Sequence, residues 1–170
     1  MASAEEIYRA GATKVEIDDV LSKRLTAAIG TLNDDGSIHL AFVIFLYEDG
    51  RFFCETSSVT RKARNVRARS TASFMVQGEA SSGRTIMAEN EGTARLIEGE
   101  EARSVNRRLR AKYITEAALD RVDEAWNRFD DVAIEIIPGL RWRSWCGETF
   151  TAQTTRAMGG SSSPVWRPDD

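Results

Sequence analysis

Five basic residues lie close together in a chain whose overall charge is negative. The stretch from Ser57 to Gln77 contains no carboxylate, and its cations are Arg61, Lys62, Arg64, Arg67 and Arg69. It follows a strand-like segment that ends at Thr56, and serine and threonine hydroxyls lie between that strand and the first arginine. Free backbone N–H groups, hydroxyls and fixed positive charge at a helix N-terminus suit a phosphate group. These residues therefore predict an anion site where the chain passes from strand to helix.

Two other interpretations of this basic helix remain open on the residues alone. One is an ordinary solvated helix with Ser58 as its N-cap. The other is a nucleic-acid surface, because closely spaced cations can follow a phosphate backbone. The flanks of the helix lack interleaved aromatic side chains for base stacking. The whole chain has 23 basic against 26 acidic residues, a net charge of −3. We therefore expect neither nucleic acid nor an anionic membrane as a partner.

Length and composition indicate one domain. The chain has 170 residues, which suits a single core, and we assign residues 1–150 to it. After Phe150 the composition shifts to Thr, Gly, Ser and Pro, so residues 151–170 are predicted to be a C-terminal tail. The first residues lack the regions of a signal peptide, and the longest apolar run, residues 38–47, is too short to cross a bilayer. We expect a cytoplasmic protein without membrane contact.

Few residues are available for metal or nucleophilic chemistry. The two cysteines, Cys54 and Cys146, are far apart in sequence, and His39 is the one histidine. This spacing fits neither a zinc site nor a Cys-His or Ser-His-Asp arrangement. We expect both cysteines to be small buried apolar residues. We predict no metal ligand and assign no catalytic acid, base or nucleophile.

Apolar periodicity and turn residues predict a mainly β chain with peripheral helices. A short helix over residues 16–24 precedes three strands, which two turns, Asn33–Gly36 and Glu48–Gly50, join into an antiparallel meander. These three predicted strands cover residues 25–32, 38–47 and 51–56. The later predicted elements are the basic helix, strands over 71–77, 84–90, 92–97, 132–137 and 140–146, and a pair of helices within 99–129.

The middle strand of this meander is apolar on both faces. One face carries Ile38, Leu40, Phe42, Ile44 and Leu46, and the other carries Ala41, Val43, Phe45 and Tyr47. A sheet with one face in water alternates apolar with polar residues. Two apolar faces in a small antiparallel protein indicate a barrel wall whose outside is covered by a helix, a ligand or a second subunit. We favour a second subunit as the cover.

The order of these elements, together with the segment TSSVTRKARNV from Thr56 to Val66, resembles the pyridoxamine 5′-phosphate oxidase-like flavoprotein family. In that family a strand ending in Thr or Ser leads to a Ser/Thr-Arg-Lys helix start, whose Arg and Lys hold the flavin phosphate. Thr60, Arg61 and Lys62 match that helix start. Segments 64–67, 72–76 and 91–96 are most similar to the actinobacterial flavin/deazaflavin oxidoreductase B branch, in which some enzymes use the deazaflavin coenzyme F420 in place of FMN.

This resemblance implies an FMN-binding-like split β-barrel of six to eight antiparallel strands, assembled as a homodimer with cofactor sites at the interface. It favours the phosphate site over the solvated helix. The residues that it implies for cofactor binding are Phe42, Val43, Ile44, Phe45, Thr56, Ser57, Thr60, Arg61, Lys62, Asn65, Thr85 and Trp145. The same resemblance places Phe42, Phe45, Trp142 and Trp145 in the walls of the pocket.

The implied function is hydride transfer between bound FMN or coenzyme F420 and an unidentified small organic substrate. The cofactor supplies the chemistry and the protein supplies binding and orientation. The extra cations Arg64, Arg67 and Arg69 suit the oligoglutamyl tail of F420, which favours the deazaflavin. The chain lacks the basic, aromatic final strand of the vitamin B6 oxidase, so pyridoxamine phosphate is not the expected substrate. The alternative is a non-catalytic sensor or carrier of flavin, deazaflavin or haem, with His39 as the candidate haem ligand.

Overall fold

A computed structural model describes residues 11–126, 128, 130–147 and 152. These residues form four helices and eight strands. In chain order they are α1 (Lys14–Ser22), β1 (Thr26–Leu32), β2 (Ile38–Ile44), β3 (Leu46–Glu48), β4 (Arg51–Ser57), α2 (Arg61–Ala68), β5 (Thr71–Glu79), β6 (Thr85–Ile97), α3 (Gly99–Tyr113), α4 (Glu116–Trp126), β7 (Asp131–Pro138) and β8 (Arg143–Cys146). Apart from residue 152, the predicted tail lies outside the described residues.

The strands form one antiparallel sheet in the order β2-β1-β5-β6-β7-β4-β3, and β8 pairs with β6. The two end strands, β2 and β3, are consecutive in the chain and are separated only by Phe45. A sheet whose two ends are neighbours along the chain must curl round on itself. The predicted fold, a mainly β split barrel with peripheral helices, is confirmed.

The predicted three-stranded meander is wrong at one point. The chain forms the expected β1–β2 hairpin, but β2 ends at Ile44, and β4 pairs with β3 and β7 instead of β2. The break occurs at Phe45, whose ring is fully buried and stacks on Phe52 with 5.2 Å between ring centroids. Its backbone bonds the Tyr113 hydroxyl, which accepts from the Phe45 N–H at 3.2 Å and lies 2.9 Å from the Phe45 carbonyl oxygen. A tertiary contact therefore replaces the ladder at this residue.

The other predicted elements need smaller corrections. The strands expected over 84–90 and 92–97 are one continuous strand, β6. At Gly92 a Cβ atom would lie 2.0 Å from the Ile137 carbonyl oxygen, so the glycine permits close approach of β7 and does not end the strand. The last strand is shorter than the expected 140–146. The helix pair within 99–129 is confirmed as α3 and α4.

The inside of the barrel is filled by apolar side chains from both parts of the sheet. Phe52 lies between Phe45 and Phe74, and its ring centroid is 4.3 Å from that of Phe74. Helix α1 packs Val20 and Leu21 against this core, and α3 covers the outer face of β4 and β7. Both cysteines are buried, as expected, and they do not form a disulfide bond.

No helix in the described part of the chain has the length and apolar character needed to cross a membrane. Within the same residues, no group of His, Cys, Asp and Glu side chains is arranged to hold a metal ion. These two findings concern the described residues alone.

Candidate functional site

Helix α2 begins at a turn that gathers three of the predicted site residues. Thr60 is the N-cap, and its side-chain oxygen accepts from the Ala63 N–H at 3.4 Å. The same hydroxyl donates to the Ser57 carbonyl oxygen at 2.9 Å and lies 2.9 Å from the Thr56 hydroxyl oxygen. Because the Thr60 proton is directed to Ser57, Thr56 is the donor in the pair of hydroxyls. The N-cap is therefore Thr60, not Ser58.

The five cations of α2 fall into two groups. Arg67 pairs with Glu98 at 2.7 Å, and Arg69 pairs with Asp34 at 2.9 Å. By contrast, no hydrogen bond or ion pair with another described residue engages the cations of Arg61, Lys62 and Arg64. These three lie in the first half of the helix, where the backbone N–H groups and the helix dipole also favour an anion. Uncompensated positive charge is thus concentrated at one end of α2.

A cleft of about 450 Å³ separates this end of α2 from the turn between β1 and β2. It is lined by Asn33, Asp34, Asp35, Arg61, Arg64, Asn65 and Ala68. Hydrogen bonds from Ser37 lower the pKa of the Asp35 carboxyl, and the charge of Arg61 makes a smaller contribution in the same direction. Asp35 is therefore ionised at neutral pH, and the cleft contains charges of both signs.

Asn65 occupies the buried side of this cleft. Its amide nitrogen donates to the Thr31 hydroxyl at 3.1 Å and to the Asn33 side-chain oxygen at 2.8 Å. Both partners belong to the β1–β2 hairpin and its turn. The structure therefore places this predicted cofactor residue as the link that holds α2 against the hairpin.

Strand β2 exposes a line of apolar side chains beside the cleft. Ile38, Leu40 and Phe42 are 69%, 69% and 83% exposed, while Val43 and Phe45 are buried in the core. Of the four implied cofactor-binding residues from Phe42 to Phe45, Phe42 has an exposed side chain, Ile44 a partly exposed one, and Val43 and Phe45 are buried. We call Ile38, Leu40 and Phe42 the β2 stripe.

The β2 stripe and the cleft share one hairpin. Residues Asn33 to Asp35 form a wall of the cleft, and Ile38 begins the stripe three residues later. Gly30, opposite Leu40 on β1, has no side chain to cover the stripe. The cationic cleft and the apolar stripe thus share one hairpin, but Asn65 of α2 bonds Thr31, whose side chain lies on the face of His39 and not on that of the stripe.

Thr85 and Trp145 are not brought to this surface within one chain. Thr85 begins β6, whereas it is Ala94, near the other end of that strand, that contacts the chain after α2 through a 3.0 Å bond to Ser70. Nine residues of extended strand span roughly 30 Å. Trp145 of β8 lies opposite Met87 of β6. Together with Trp142 it lines a separate cleft of about 490 Å³.

The comparison with protein families identifies the chain. A profile described as pyridoxamine 5′-phosphate oxidase matches residues 13–146, from the N-cap of α1 to the end of β8. The chain belongs to this family. A comparison with curated proteins finds no match.

Solved structures share the fold of this pyridoxamine 5′-phosphate oxidase family member. The conserved hypothetical protein Rv2991 from Mycobacterium tuberculosis has a TM-score of 0.67 and 26% identity, over 82% of this chain and 88% of that one. An F420 reductase has a TM-score of 0.55 and 17% identity, over 74% and 94%. The haem storage protein HutZ from Vibrio cholerae has a TM-score of 0.59 and 18% identity, over 76% and 92%.

Several residues that shape the site of this family member were missed in the sequence. The Tyr113 hydroxyl bonds the backbone of Phe45, where β2 has ended. Asp34 and Glu98 pair with Arg69 and Arg67 at the far end of α2. Each acts across at least 31 residues of chain. The sequence carries no local signal for such distant pairs, because a helix face or turn pattern reports only neighbours within a few residues.

Proposed function

We propose that this protein is an FMN- or F420-dependent oxidoreductase of the pyridoxamine 5′-phosphate oxidase-like type, which transfers hydride between its cofactor and a small organic substrate. The observation that carries the proposal is the start of α2. Three cations without a hydrogen-bonded carboxylate partner among the described residues lie at a capped helix N-terminus, and the hairpin that this helix packs against carries an exposed apolar stripe. Family membership supports the same conclusion.

The residues present fit a ribityl phosphate and a tricyclic ring. Arg61 and Lys62, together with the first N–H groups of α2, would hold the phosphate, and Thr56 and Thr60 fix the turn that aims these groups. The β2 stripe, with Phe42 as its most exposed member, would bind the apolar ring. When bound, the flavin or deazaflavin supplies the hydride chemistry. The chain itself binds the cofactor, orients its ring and excludes water from it.

Between the two cofactors we favour the deazaflavin. Arg64 lines the cleft beyond Arg61 and has no ion pair within the described residues, so it is available to a longer anionic tail. Arg67 and Arg69 are engaged by Glu98 and Asp34, and we no longer include them in the tail site. This preference agrees with the proposed placement in the actinobacterial branch.

We also propose a homodimer in which a second copy covers the β2 stripe. Three large apolar side chains in a row are costly to leave in water. A partner there would close the ring pocket and bring its own Trp145 and Thr85 towards the cleft. This arrangement accounts for the distance between those residues and α2 within one chain.

Cofactor titration tests the binding proposal. The wild-type protein is titrated with FMN and with F420 by calorimetry and fluorescence, and we expect saturable binding of at least one. Replacing both Arg61 and Lys62 by Ala should weaken binding by at least about 100-fold, because charge-assisted hydrogen bonds each contribute roughly 1.5 to 3 kcal/mol. Arg67→Ala is the matched control, since its guanidinium is already paired with Glu98. Absence of a saturable signal with both cofactors would refute the proposal.

Arg64→Ala separates the two cofactors. We expect this variant to lose affinity for F420 by about fivefold, the effect of one exposed charge pair of about 1 kcal/mol, and to bind FMN as the wild type does. An equal loss for both cofactors would show that Arg64 contacts the shared phosphate region and not a tail.

Light scattering tests the dimer. We expect twice the chain mass for the wild type and a monomer for Phe42→Lys, which places a charge at the most exposed residue of the stripe. Val15→Lys is the control, because Val15 is 78% exposed on α1 and lies outside the stripe. A monomeric wild type would contradict this part of the proposal.

A non-catalytic carrier is the second candidate function, and the orientation of His39 bears on its haem form. His39 lies between Ile38 and Leu40 on β2, so its side chain points to the opposite face from the stripe. A haem on the stripe would therefore lack this ligand. An absorption spectrum of the purified protein distinguishes flavin, deazaflavin and haem, and turnover with candidate acceptors distinguishes an enzyme from a carrier.

A further inference from the structure

Arg110, on the inner side of α3, is only 1% exposed and binds three carboxylates from three different elements. Glu55 of β4 accepts from Nε at 3.0 Å and from Nη2 at 2.6 Å. Asp123 of α4 accepts from Nη1 at 2.8 Å, and Asp131 of β7 accepts from Nη2. We call Arg110, Glu55, Asp123 and Asp131 the Arg110 cluster. It joins both outer helices to the sheet.

The cluster has one negative charge in excess. Arg107 also reaches Asp123, so two guanidinium groups serve three buried carboxylates. Arg107 is shared with the exposed Asp120 of α4, and Arg67 and Arg103 pair with Glu98 and Glu100 beside the cleft that Asp130 and Asp131 line. A buried, uncompensated carboxylate is costly, and taking up one proton removes the excess.

Two carboxyls of the cluster are placed to share that proton. Glu55 and Asp131 both accept from Nη2 of Arg110, so one oxygen of each lies against the same nitrogen. Burial raises the pKa of Glu55, the guanidinium of Arg110 opposes this, and the neighbouring Asp131 raises the pKa further. Carboxyl pairs of this kind take up a proton because two negative charges at short range repel each other.

The shared pair lies directly behind the turn that starts α2. Glu55 immediately precedes Thr56, and Asp131 pairs in register with Ser57, the last residue of β4. Beside it, Asp130 accepts a hydrogen bond from the Ser58 hydroxyl. The end of the β4–β7 ladder, where the chain leaves for Thr60 and Arg61, is therefore held from behind by the Arg110 cluster.

We propose that Arg110 is a positioning residue for the anion site of α2, because it holds Glu55 and Asp131 as a carboxyl pair that shares one proton and thereby fixes the turn from Ser57 to Thr60. The effect on ligand affinity rests on the proposed function, whereas the shared proton does not. When the pair loses its proton, repulsion between the two carboxylates separates the end of β4 from the start of β7. The turn then shifts and the anion site weakens.

The sign of the pH dependence follows from this arrangement. The pKa of Glu55 is raised in the folded chain, so the folded protein keeps a proton that the unfolded chain releases. The free energy of unfolding from this group is therefore highest in acid and falls as pH rises through the folded pKa. Affinity for an anion at α2 falls over the same range, by at most about tenfold per pH unit for one linked proton.

Glu55→Gln is the test of the shared proton, because its amide donates to Asp131 and its carbonyl oxygen accepts from Arg110, as a protonated carboxyl would. Unfolding in urea is measured between about pH 5 and pH 8. We expect the wild type to lose stability as pH rises relative to this variant, whose profile lacks that contribution. Asp120→Asn is the matched control, since it removes an exposed carboxylate of the same helix face and should keep the wild-type profile. Identical profiles for the wild type and Glu55→Gln would overturn the proposal.

Affinity for FMN and F420 over the same pH range tests the positioning role. Comparing variants cancels the titration of the ligand phosphate itself. We expect Glu55→Gln to keep its cofactor affinity over the pH range in which the affinity of the wild type falls. Arg110→Lys retains a cation but not the forked guanidinium, and we expect it to bind the cofactor more weakly at every pH. If the stability profiles differ as expected but the affinities of the wild type and Glu55→Gln change in parallel with pH, the positioning role is refuted. If neither cofactor binds at all, the proposed function fails, and the stability profiles still decide the shared proton.

Discussion

Two groups of cations in this molecule differ in what surrounds them. Arg110 is buried and meets three carboxylates, whereas Arg61, Lys62 and Arg64 lie at the start of α2 without a described ion pair. The chain has more acidic than basic residues, 26 against 23, so the missing partners do not reflect a shortage of acids. Positive charge in the interior is neutralised by the chain itself, and positive charge at the helix start is left for an anion from outside.

The same contrast exists within α2. Arg67 and Arg69 are neutralised by Glu98 and Asp34 on neighbouring segments, and their function is complete within the fold. Composition alone makes all five cations of the helix equivalent. The distribution of carboxylates around them is what separates a structural charge from a binding charge.

The largest expected effect on stability is at Arg110, the buried cation of this comparison. Arg110→Met leaves the buried Glu55 and Asp131 without their guanidinium and Asp123 with Arg107 alone, and we expect a loss of about 3 to 5 kcal/mol in the free energy of unfolding. Arg61 has no ion-pair partner among the described residues, so Arg61→Met should change the free energy of unfolding by less than about 0.5 kcal/mol. Urea denaturation followed by circular dichroism measures both. If the two variants were equally destabilised, Arg61 would have a structural partner and the distinction would be lost.

A smaller effect is expected at the start of α2, where neutral hydroxyl groups organise the proposed anion site. Thr60→Ala removes the N-cap of α2 and the contact with Thr56, and we expect it to cost about 1 kcal/mol of stability. Thr60→Ser keeps the oxygen and should recover most of that loss. Differential scanning calorimetry gives the midpoints. A serine variant as unstable as the alanine variant would assign the effect to the methyl group instead of the cap.

Local patterns were sufficient for most of the fold. The Asn33–Gly36 turn and the helix pair α3–α4 are each specified by residues a few positions apart, and each was predicted. The strand break at Phe45 was not predictable in this way. Both neighbours of Phe45 continue an apolar run, and the hydroxyl that bonds its backbone belongs to a residue 68 positions away.

The residues of the candidate site also fall into those that local sequence specifies and those that it does not. The segment from Thr56 to Lys62 was predictable because its strand end, cap and cations are contiguous. The Arg110 cluster was not, because Glu55, Arg110, Asp123 and Asp131 come from four elements and each looks like an ordinary surface charge in the sequence. The exposure of the β2 stripe was also not predictable, because an apolar strand with two similar faces does not indicate which face turns inward.

Lys112 provides the most specific test, because its cation is half-buried and has no carboxylate partner within the described residues. Its ammonium group is half-buried over the Phe45 ring, 4.2 Å from the centroid, and donates to the carbonyl oxygens of Leu21 and Phe45 at 3.2 and 3.4 Å. It has no ion pair within the described residues, and burial lowers its pKa from 10.5 to about 8. If a carboxylate partner is what allows a buried cation to keep its charge, this amine should lose its proton more readily than the others.

The folded protein then binds fewer protons than the unfolded chain between the two pKa values of Lys112. Its free energy of unfolding should therefore rise with pH from about pH 8 towards pH 10, relative to Lys112→Met, which keeps the packing but cannot titrate. Both proteins contain the same tyrosines and thiols, so the difference between their urea-denaturation profiles isolates the lysine. Parallel profiles would mean that the carbonyl oxygens and the Phe45 ring stabilise the ammonium group as well as a carboxylate does. In that event the lack of a carboxylate at Arg61, Lys62 and Arg64 would no longer single out those cations as a binding site.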